Sequence, residues 1–395
     1  MKFGFSFYSR PLLTAAAALL SVASVQPVFG QGCIISRSNG QVGGPASDGG
    51  YMSPGDIQVG DSYRHQFSFR HFVGPTEQTQ RQVLGNEVEN KINLQNFNVT
   101  YQLTSRFSVS ADMPLLTASR HTNNSPIVYT TQGIGDIAFM ANGWVFNTSE
   151  NSRGNVQLGA GLLLPTGRNN LANTVDAYDG KGPHPVVVDY SIQPGQGGWG
   201  IPFQWQSFVN VGSTQLYFNG NYTAMLQSIN MHTIRSATVN PVTLTQYNSI
   251  SDQYLLEAGV AHAVPKVNGL SVTVGPRMEG APARNLFPGS NLGFRRPGFA
   301  ISIEPGVQYA HGGHIFTVQM GKAFYRDRTH SVPDVLTGGH GDAAFADYVW
   351  LASYSYRFMR GHSAAAHGHD SADHVSGNST PSAPALPRTT GNGGC

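Results

Sequence analysis

Residues 96–115 read NFNVTYQLTSRFSVSADMPL, and this stretch decides the fold. Apolar residues alternate with polar ones on both sides of a short link at Thr104 and Ser105: Phe97, Val99, Tyr101 and Leu103 before it, and Phe107, Val109, Ala111, Met113 and Leu115 after it. A period of two residues is that of a β-strand with two different faces. The stretch therefore predicts two amphipathic strands joined by a tight turn.

The same alternation recurs along most of the 395 residues. Twelve such segments begin near Ile57, Asn93, Arg106, Gly135, Asn155, Ile201, Thr214, Gln253, Leu270, Phe299, Ile315 and Asp347. The links between them alternate between tight and long, as in outer-membrane barrels with short periplasmic turns and long extracellular loops. The long links are 73–92, 117–133, 166–200, 227–252, 280–298 and 327–346. The sequence thus predicts an all-β fold, a transmembrane antiparallel up-and-down β-barrel of about 12 strands over residues 56–358.

A soluble β-sandwich is the competing fold, because its strands also alternate. Its strands are shorter, typically about 5 or 6 residues. Aromatic residues here cluster toward segment ends, as at Phe67 and Phe69 or at Trp144 and Phe146, which is typical of interfacial girdles. The last segment presents an aromatic face and ends on Phe358, which resembles the signal read by the barrel-assembly machinery. These features favour the membrane barrel.

The two ends of the chain differ from the middle. Lys2 and Arg10 flank a short basic region that precedes an apolar stretch, which predicts a signal peptide over residues 1–30, cleaved after Gly30. Residues 31–55 are a Gly/Ser-rich periplasmic leader, and residues 359–395 are predicted to be a disordered, His-containing periplasmic tail. The expected location is the outer membrane of a Gram-negative cell.

Charge and cysteine content narrow the function classes. Cleavage removes Lys2 and Arg10, which leaves 22 basic against 22 acidic residues (24 minus 2, against 22), so bulk charge does not favour nucleic acid. Cys33 and Cys395 either pair in the oxidising periplasm or are unrelated thiols in the chain ends. The expected partners are outer-membrane lipids, the barrel-assembly machinery and a small-molecule solute.

Two glycine-containing motifs carry a family resemblance. Residues 133–136 read GIGD, and residues 159–167 read GAGLLLPTG. Together they resemble the outer-membrane proteins of the family named for the MetA pathway of phenol degradation. The resemblance implies an outer-membrane channel for aromatic or other hydrophobic nutrients. The motif residues also have a structural interpretation, in which Asp136 fixes a turn and Pro165 with Gly167 ends a strand.

If the apolar face of each strand meets lipid, the opposite face lines the lumen. The lumen-lining candidates are Arg64, Arg70, Asp112, Asp136, Glu257, Arg277 and Glu304. Both signs of charge are present, so no strong ion selectivity is expected. The alternative is that they form salt bridges that fill a narrow barrel. Asp61, His65, His262 and Lys322 fall on the lipid face, where we expect them near strand ends or beside a β-bulge.

No nucleophile elbow, phosphate-binding loop or zinc motif occurs, so we predict no enzymatic activity and no cofactor. The leading hypothesis is a channel whose loop 166–200 folds over the mouth. One alternative is a non-conducting surface barrel whose loops bind a partner. Another is metal binding by the tail residues His362, His367, His369 and His374.

Overall fold

The structure is a computed structural model that describes residues 51–151, 153–239, 242–287, 289 and 291–359. The predicted signal peptide, both cysteines and the histidines of the tail lie outside these residues. The first strand begins at Ile57 and the last ends at Phe358. No helix within the described ranges combines the length and the hydropathy needed to cross a membrane.

The described residues form β-strands and two short helices. In chain order the strands are β1 (Ile57–Val73), β2 (Thr76–Glu77), β3 (Val88–Gln102), β4 (Phe107–Thr122), β5 (Val128–Ile134), β6 (Ile137–Trp144), β7 (Gly154–Leu164), β8 (Ala172–Asp176), β9 (Pro183–Val187), β10 (Gly200–Val211), β11 (Thr214–Met225), β12 (Ile229–Val239), β13 (Val242–Ser249), β14 (Gln253–Ala263), β15 (Leu270–Val274), β16 (Pro276–Ala281), β17 (Gly298–Ile303), β18 (Gly306–His311), β19 (His314–Asp327) and β20 (Ala343–Phe358). The helices are α1 (Gln80–Leu84) and α2 (Val332–Thr337), with a 3₁₀ turn at Tyr190–Ile192.

The strands close into a barrel with twelve wall positions. Three of these positions consist of two strand pieces each, namely β5 with β6, β15 with β16, and β17 with β18. Each wall strand pairs antiparallel with its neighbours in chain order, and β20 pairs with β1 from Ile57 to Phe72, which closes the sheet. The prediction of a twelve-stranded antiparallel up-and-down barrel is confirmed.

Alternation decides which side chains face outward. In β3 the residues Phe97, Val99 and Tyr101 are exposed on the outer surface, whereas Ile92 and Leu94 are buried inside. Because successive side chains in a strand point to opposite faces, one register gives an apolar exterior and a mostly polar interior. The barrel therefore has the reverse of the arrangement in a soluble protein, with apolar side chains on the outer surface and mostly polar ones inside.

The two rims of the barrel differ. We call the rim with the short connections after β3, β6, β10, β14 and β18 the turn end, and the opposite rim the loop end. The prediction of a long link over residues 117–133 is wrong, because β4 continues to Thr122 and β5 begins at Val128. Ladder hydrogen bonds need no apolar side chains, so this polar hairpin stays paired up to His121 and Val128.

Asp61 and His65 lie on the outer face of β1 but neither near a strand end nor at a bulge. Asp61 pairs in register with Phe97 and Tyr354, and the two irregularities of β1 come later, between Gln66 and Arg70. Neighbouring polar side chains accompany them instead: the Gln95 amide donates to Asp61 over 2.9 Å. Of the other two outward charges, His262 is the penultimate residue of β14, and Lys322 lies over the ring of Tyr348.

Candidate functional site

A cavity of about 420 Å³ lies inside the barrel. Carboxamides are its most frequent lining groups: Gln58, Asn96, Asn98, Gln102, Asn142, Gln157, Gln193, Gln196, Gln204, Gln206, Asn219, Asn221, Gln253, Gln308 and Gln319. Serine and threonine hydroxyls add to them, among them Thr100, Ser108 and Ser110. Asn and Gln each offer both donors and acceptors, so this surface can hydrogen-bond a solute without carrying charge.

A buried charged cluster lies inside the barrel, where side chains of β1, β14 and β16 meet. Its members are Arg64, Glu257, Arg277, Glu279 and Glu304, each less than 10% exposed. The Arg277 guanidinium contacts all three glutamates, at 3.0 Å from Glu279 and 3.4 Å from Glu304. Arg64 of β1 donates two hydrogen bonds to Glu279 of β16, four wall positions away, so this pair crosses the interior. Two guanidinium groups thus lie among three carboxylates, which compensates most of their charge inside the protein.

The seven lumen-lining candidates separate into three groups. Arg64, Asp112 and Asp136 line the cavity. Glu257, Arg277 and Glu304 belong with Arg64 to the charged cluster. Arg70 lies toward the loop end, where Glu77 and Asp347 hold its guanidinium.

Glu279 was not among the predicted lumen-lining residues, although the sequence contains a signal for it. Glu279 stands two residues after Arg277 and therefore on the same face of the strand. The carboxamides that line the cavity were not predicted either, because only charged side chains were considered as lining groups.

The link between β7 and β10 enters the barrel from the loop end. Ile192 is fully buried and Val188 nearly so, and they pack against Ile92, Leu94 and Leu116 of the wall. The residues that follow, including Gln193 and Pro194, line the cavity. The part of the chain from Val188 to Gln196, which we call the inserted turn, therefore bounds the cavity at the loop end.

Charged contacts fasten the inserted turn. Asp189 accepts two hydrogen bonds from Arg296, at 2.8 and 2.6 Å, and lies 3.7 Å from Arg120. The Arg296 guanidinium lies over the rings of both Tyr190 and Phe294, at 4.8 and 4.9 Å from their centroids. Burial alone would raise the pKa of Asp189, but the positive charges of Arg120 and Arg296 outweigh it and hold that pKa far below its usual range.

The two glycine-containing motifs meet at the base of this link. The Asp136 carboxylate accepts from the backbone N–H of Gly167 at 3.0 Å and from that of Gln196 at 2.8 Å. The Thr166 hydroxyl donates to the Gly135 carbonyl over 2.8 Å. A Cβ on Gly167 would lie 2.6 Å from the Cα of Gly195, so only glycine allows this approach. The motif residues thus fix both ends of the inserted link.

Aromatic side chains fill the turn end of the interior. Tyr51 packs edge-on against Trp144, with ring centroids 5.1 Å apart, and also contacts Phe208. Its hydroxyl donates to the carbonyl of Asn151 over 3.0 Å. Assigning Trp144 to an outer girdle was wrong, because it is the last residue of β6 and its alternation places it inward. Residues just before the first strand therefore bound the cavity at this end.

Among the described residues no group of three or more His, Cys, Asp or Glu side chains is arranged to hold a metal ion. The tail candidates His362, His367, His369 and His374 lie outside those residues.

Comparison with known proteins gives a fold and no family. No protein-family model matches the chain. No curated protein matches it either. Among solved structures it is similar to the COG4313 outer membrane channel from Pseudomonas putida F1, with 13% identity and a TM-score of 0.53, over 80% of this chain and 100% of that one.

Two other solved structures are less similar. The toluene transporter TbuX of Ralstonia pickettii shares 10% identity at a TM-score of 0.39, over 84% of this chain and 100% of that one. The monoaromatic hydrocarbon channel CymD shares 10% identity at 0.38, over 79% and 90%. The likeness to the COG4313 channel, at 13% identity, concerns the fold alone and agrees with the closed antiparallel barrel described above.

Proposed function

We propose that this chain is an outer-membrane channel through which small solutes pass. The observation that carries the proposal is a closed barrel with an apolar outer face and a cavity of about 420 Å³ lined by amides and hydroxyls. In hydrocarbon, backbone groups must be paired within the protein, which a closed barrel achieves. A closed barrel whose outer surface is apolar and whose interior is mostly polar is suited to a lipid bilayer and not to water.

The location and the assembly route belong to the same proposal. Outer-membrane barrels have short periplasmic turns and long extracellular loops, which assigns the turn end to the periplasm and the loop end to the outside. The signal peptide over residues 1–30, recognition of the Phe358 strand by the barrel-assembly machinery, and contact with outer-membrane lipids are parts of this account. The absence of enzymatic activity remains a prediction.

The MetA-pathway resemblance gives one candidate solute class for this channel. It rests on the two motifs at residues 133–136 and 159–167 and implies aromatic or other hydrophobic solutes. Apolar side chains bound the cavity at both ends, with Ile192 at the loop end and Trp144 at the turn end. Solutes with an apolar part can therefore be accommodated at the two ends.

The test is solute flux. The full-length chain is expressed in a Gram-negative host, purified from outer membranes and checked for heat-modifiable gel migration, then reconstituted into liposomes beside empty ones. We expect uptake of small labelled solutes above that of empty liposomes, and exclusion of large dextrans. A folded barrel that passes no solute would replace the channel with a non-conducting surface barrel whose loops bind a partner.

A further inference from the structure

We infer that the pathway selects uncharged, hydroxyl-rich solutes of about monosaccharide size, an inference that rests on the proposed channel function. The cavity volume of about 420 Å³ lies within the range of pockets that bind small molecules. The charge and hydrogen-bonding groups of its wall decide which solutes it admits.

The charged side chains on the cavity wall are already engaged by the protein. Asp112 accepts hydrogen bonds from the amides of Asn96 and Asn98, both at 3.0 Å. Asp136 accepts from two backbone N–H groups. Arg64 is paired with Glu279. Arg357 donates to the Gln58 carbonyl oxygen. A charged solute would have to compete with these bonds and would lose its hydration.

The wall formed by the adjacent strands β6, β7 and β10 offers neutral hydrogen-bonding groups. Asn142, Gln157 and Gln204 project from β6, β7 and β10 into the cavity, and the Gln204 amide donates to Asn142. Rotation of a carboxamide exchanges its donor and acceptor sides, so such groups can pair with hydroxyls in either sense. A solute hydroxyl both donates and accepts, which matches this wall.

A hydrocarbon is less suited to the middle of the pathway. It would displace water from the amides and leave their polar atoms without hydrogen bonds. Apolar side chains also line the cavity, among them Met140, Leu163 and Leu255, and these can pack against the C–H groups of a hydroxyl-rich solute. The solute class thus differs from the one that the MetA-pathway resemblance implies.

The experiment compares three solutes with one carbon skeleton in liposomes that contain the full-length chain: glucose, the anion gluconate and the cation glucosamine. We expect glucose to enter about tenfold faster than either ion, and excess toluene to leave glucose uptake unchanged. Equal rates, faster entry of an ion, or block by toluene would overturn the inferred solute class while leaving the channel intact. Failure of all three solutes to enter would also overturn the inferred solute class, and the channel itself would be contradicted only if the labelled solutes of the flux test above stayed outside as well.

Variants test the amide wall directly. Replacing both amides, in Asn142→Leu with Gln204→Met, should lower glucose uptake about fivefold and leave gluconate uptake unchanged. Thr117→Val, at an exposed position of β4, serves as the matched control. Heat-modifiable migration verifies that each variant folds. A glucose rate that stays at the wild-type value in a folded double variant would contradict the inference.

Discussion

Asp189 links the inserted turn to the wall of the barrel. Its side chain accepts from the Ser191 N–H, which caps the 3₁₀ turn, while its carboxylate pairs with Arg296. Arg296 is almost fully buried, so a loss of this partner would leave a buried positive charge uncompensated. This one carboxylate therefore determines how firmly the inserted turn is held.

We expect Asp189→Asn, which weakens a charge-assisted hydrogen bond, to destabilise the seated inserted turn by about 2 kcal/mol and to increase conductance through the barrel. The sign of the pH effect follows from the lowered pKa of Asp189. The stabilisation is fully present above the unfolded-state pKa of about 4 and is lost as pH falls below it. Conductance of the wild type should thus stay constant from pH 8 to 5 and rise only in stronger acid.

Planar-bilayer recordings between pH 8 and 3 measure this dependence. The Asn variant should show the larger conductance already at neutral pH, with little further change on acidification. Identical conductance of the variant and the wild type at pH 7 would show that Asp189 does not restrain the inserted turn.

Single residues also show what a sequence can predict about a site. Alternation alone placed Glu257, Arg277 and Glu304 on the inner face, because strand period is a local property. It could not show that Arg64 of β1 reaches Glu279 of β16, since that contact depends on barrel closure and on side-chain length. The contacts of Arg70 with Glu77 and Asp347 could not be predicted either, because they join separate elements.

At the level of elements, the segment before β1 acts with the turn end of the wall. Tyr51 contacts Trp144 and Phe208, and its hydroxyl also accepts from the Asn155 amide over 3.1 Å. Tyr51→Ala should open the turn end and increase the conductance about twofold. Tyr178→Ala, at an exposed position in the link between β8 and β9, is the control. Equal conductance of both variants would show that Tyr51 does not narrow the pathway.

The charged cluster joins β1, β14 and β16 through Arg277 and Arg64. Arg277→Met would leave Glu257, Glu279 and Glu304 with Arg64 alone, and removing one member of a buried ion pair costs about 3–5 kcal/mol. We expect the folded gel form of this variant to be lost at a much lower temperature. Arg153→Met, which changes an exposed arginine near the turn end, should leave that temperature unchanged. Equal transition temperatures would contradict a stabilising role of the cluster.

The predicted strands agree with the observed ones in the barrel wall and differ from them at the rims. The strand count follows from amphipathic alternation, which lipid on one side and a polar interior on the other impose along the whole wall. The paired ends of β4 and β5 extend beyond the apolar belt, where alternation no longer marks a strand. The sequence predicts that loop 166–200 folds over the mouth of the barrel. Only the structure identifies Ile192 as the loop residue that packs inside the barrel.

For the molecule as a whole, an aspartate on the outer face of the barrel has a different role from an aspartate on the inner face. A strand tilted by about 40° gains roughly 2.5 Å of height per residue, so Asp61 lies about 10 Å above Ile57 within an apolar band about 25 Å tall. Asp112 faces the cavity instead and accepts from two amides. One aspartate thus lies on the outer face of the barrel and the other faces the cavity.

We expect Asp61→Leu to stabilise the barrel by about 1–2 kcal/mol, because a carboxylate facing lipid is unfavourable, and to leave solute flux unchanged. Asp112→Leu should alter flux, since it removes the acceptor shared by Asn96 and Asn98. Thermal gel-shift and liposome uptake of both variants provide the comparison. Altered flux in the Asp61 variant alone would contradict the assignment of the two faces.

The most direct test of the channel is a single-channel recording that compares the wild type with Gly167→Ala. The added Cβ would lie within 3 Å of Gly195 and Gly135 backbone atoms and should displace the inserted turn, whereas Gly339→Ala has room for the methyl group. We predict small discrete current steps for the wild type and the Gly339 variant, and larger steps for Gly167→Ala. Folded protein that gives no current in all three cases would contradict the proposal that this barrel is a channel.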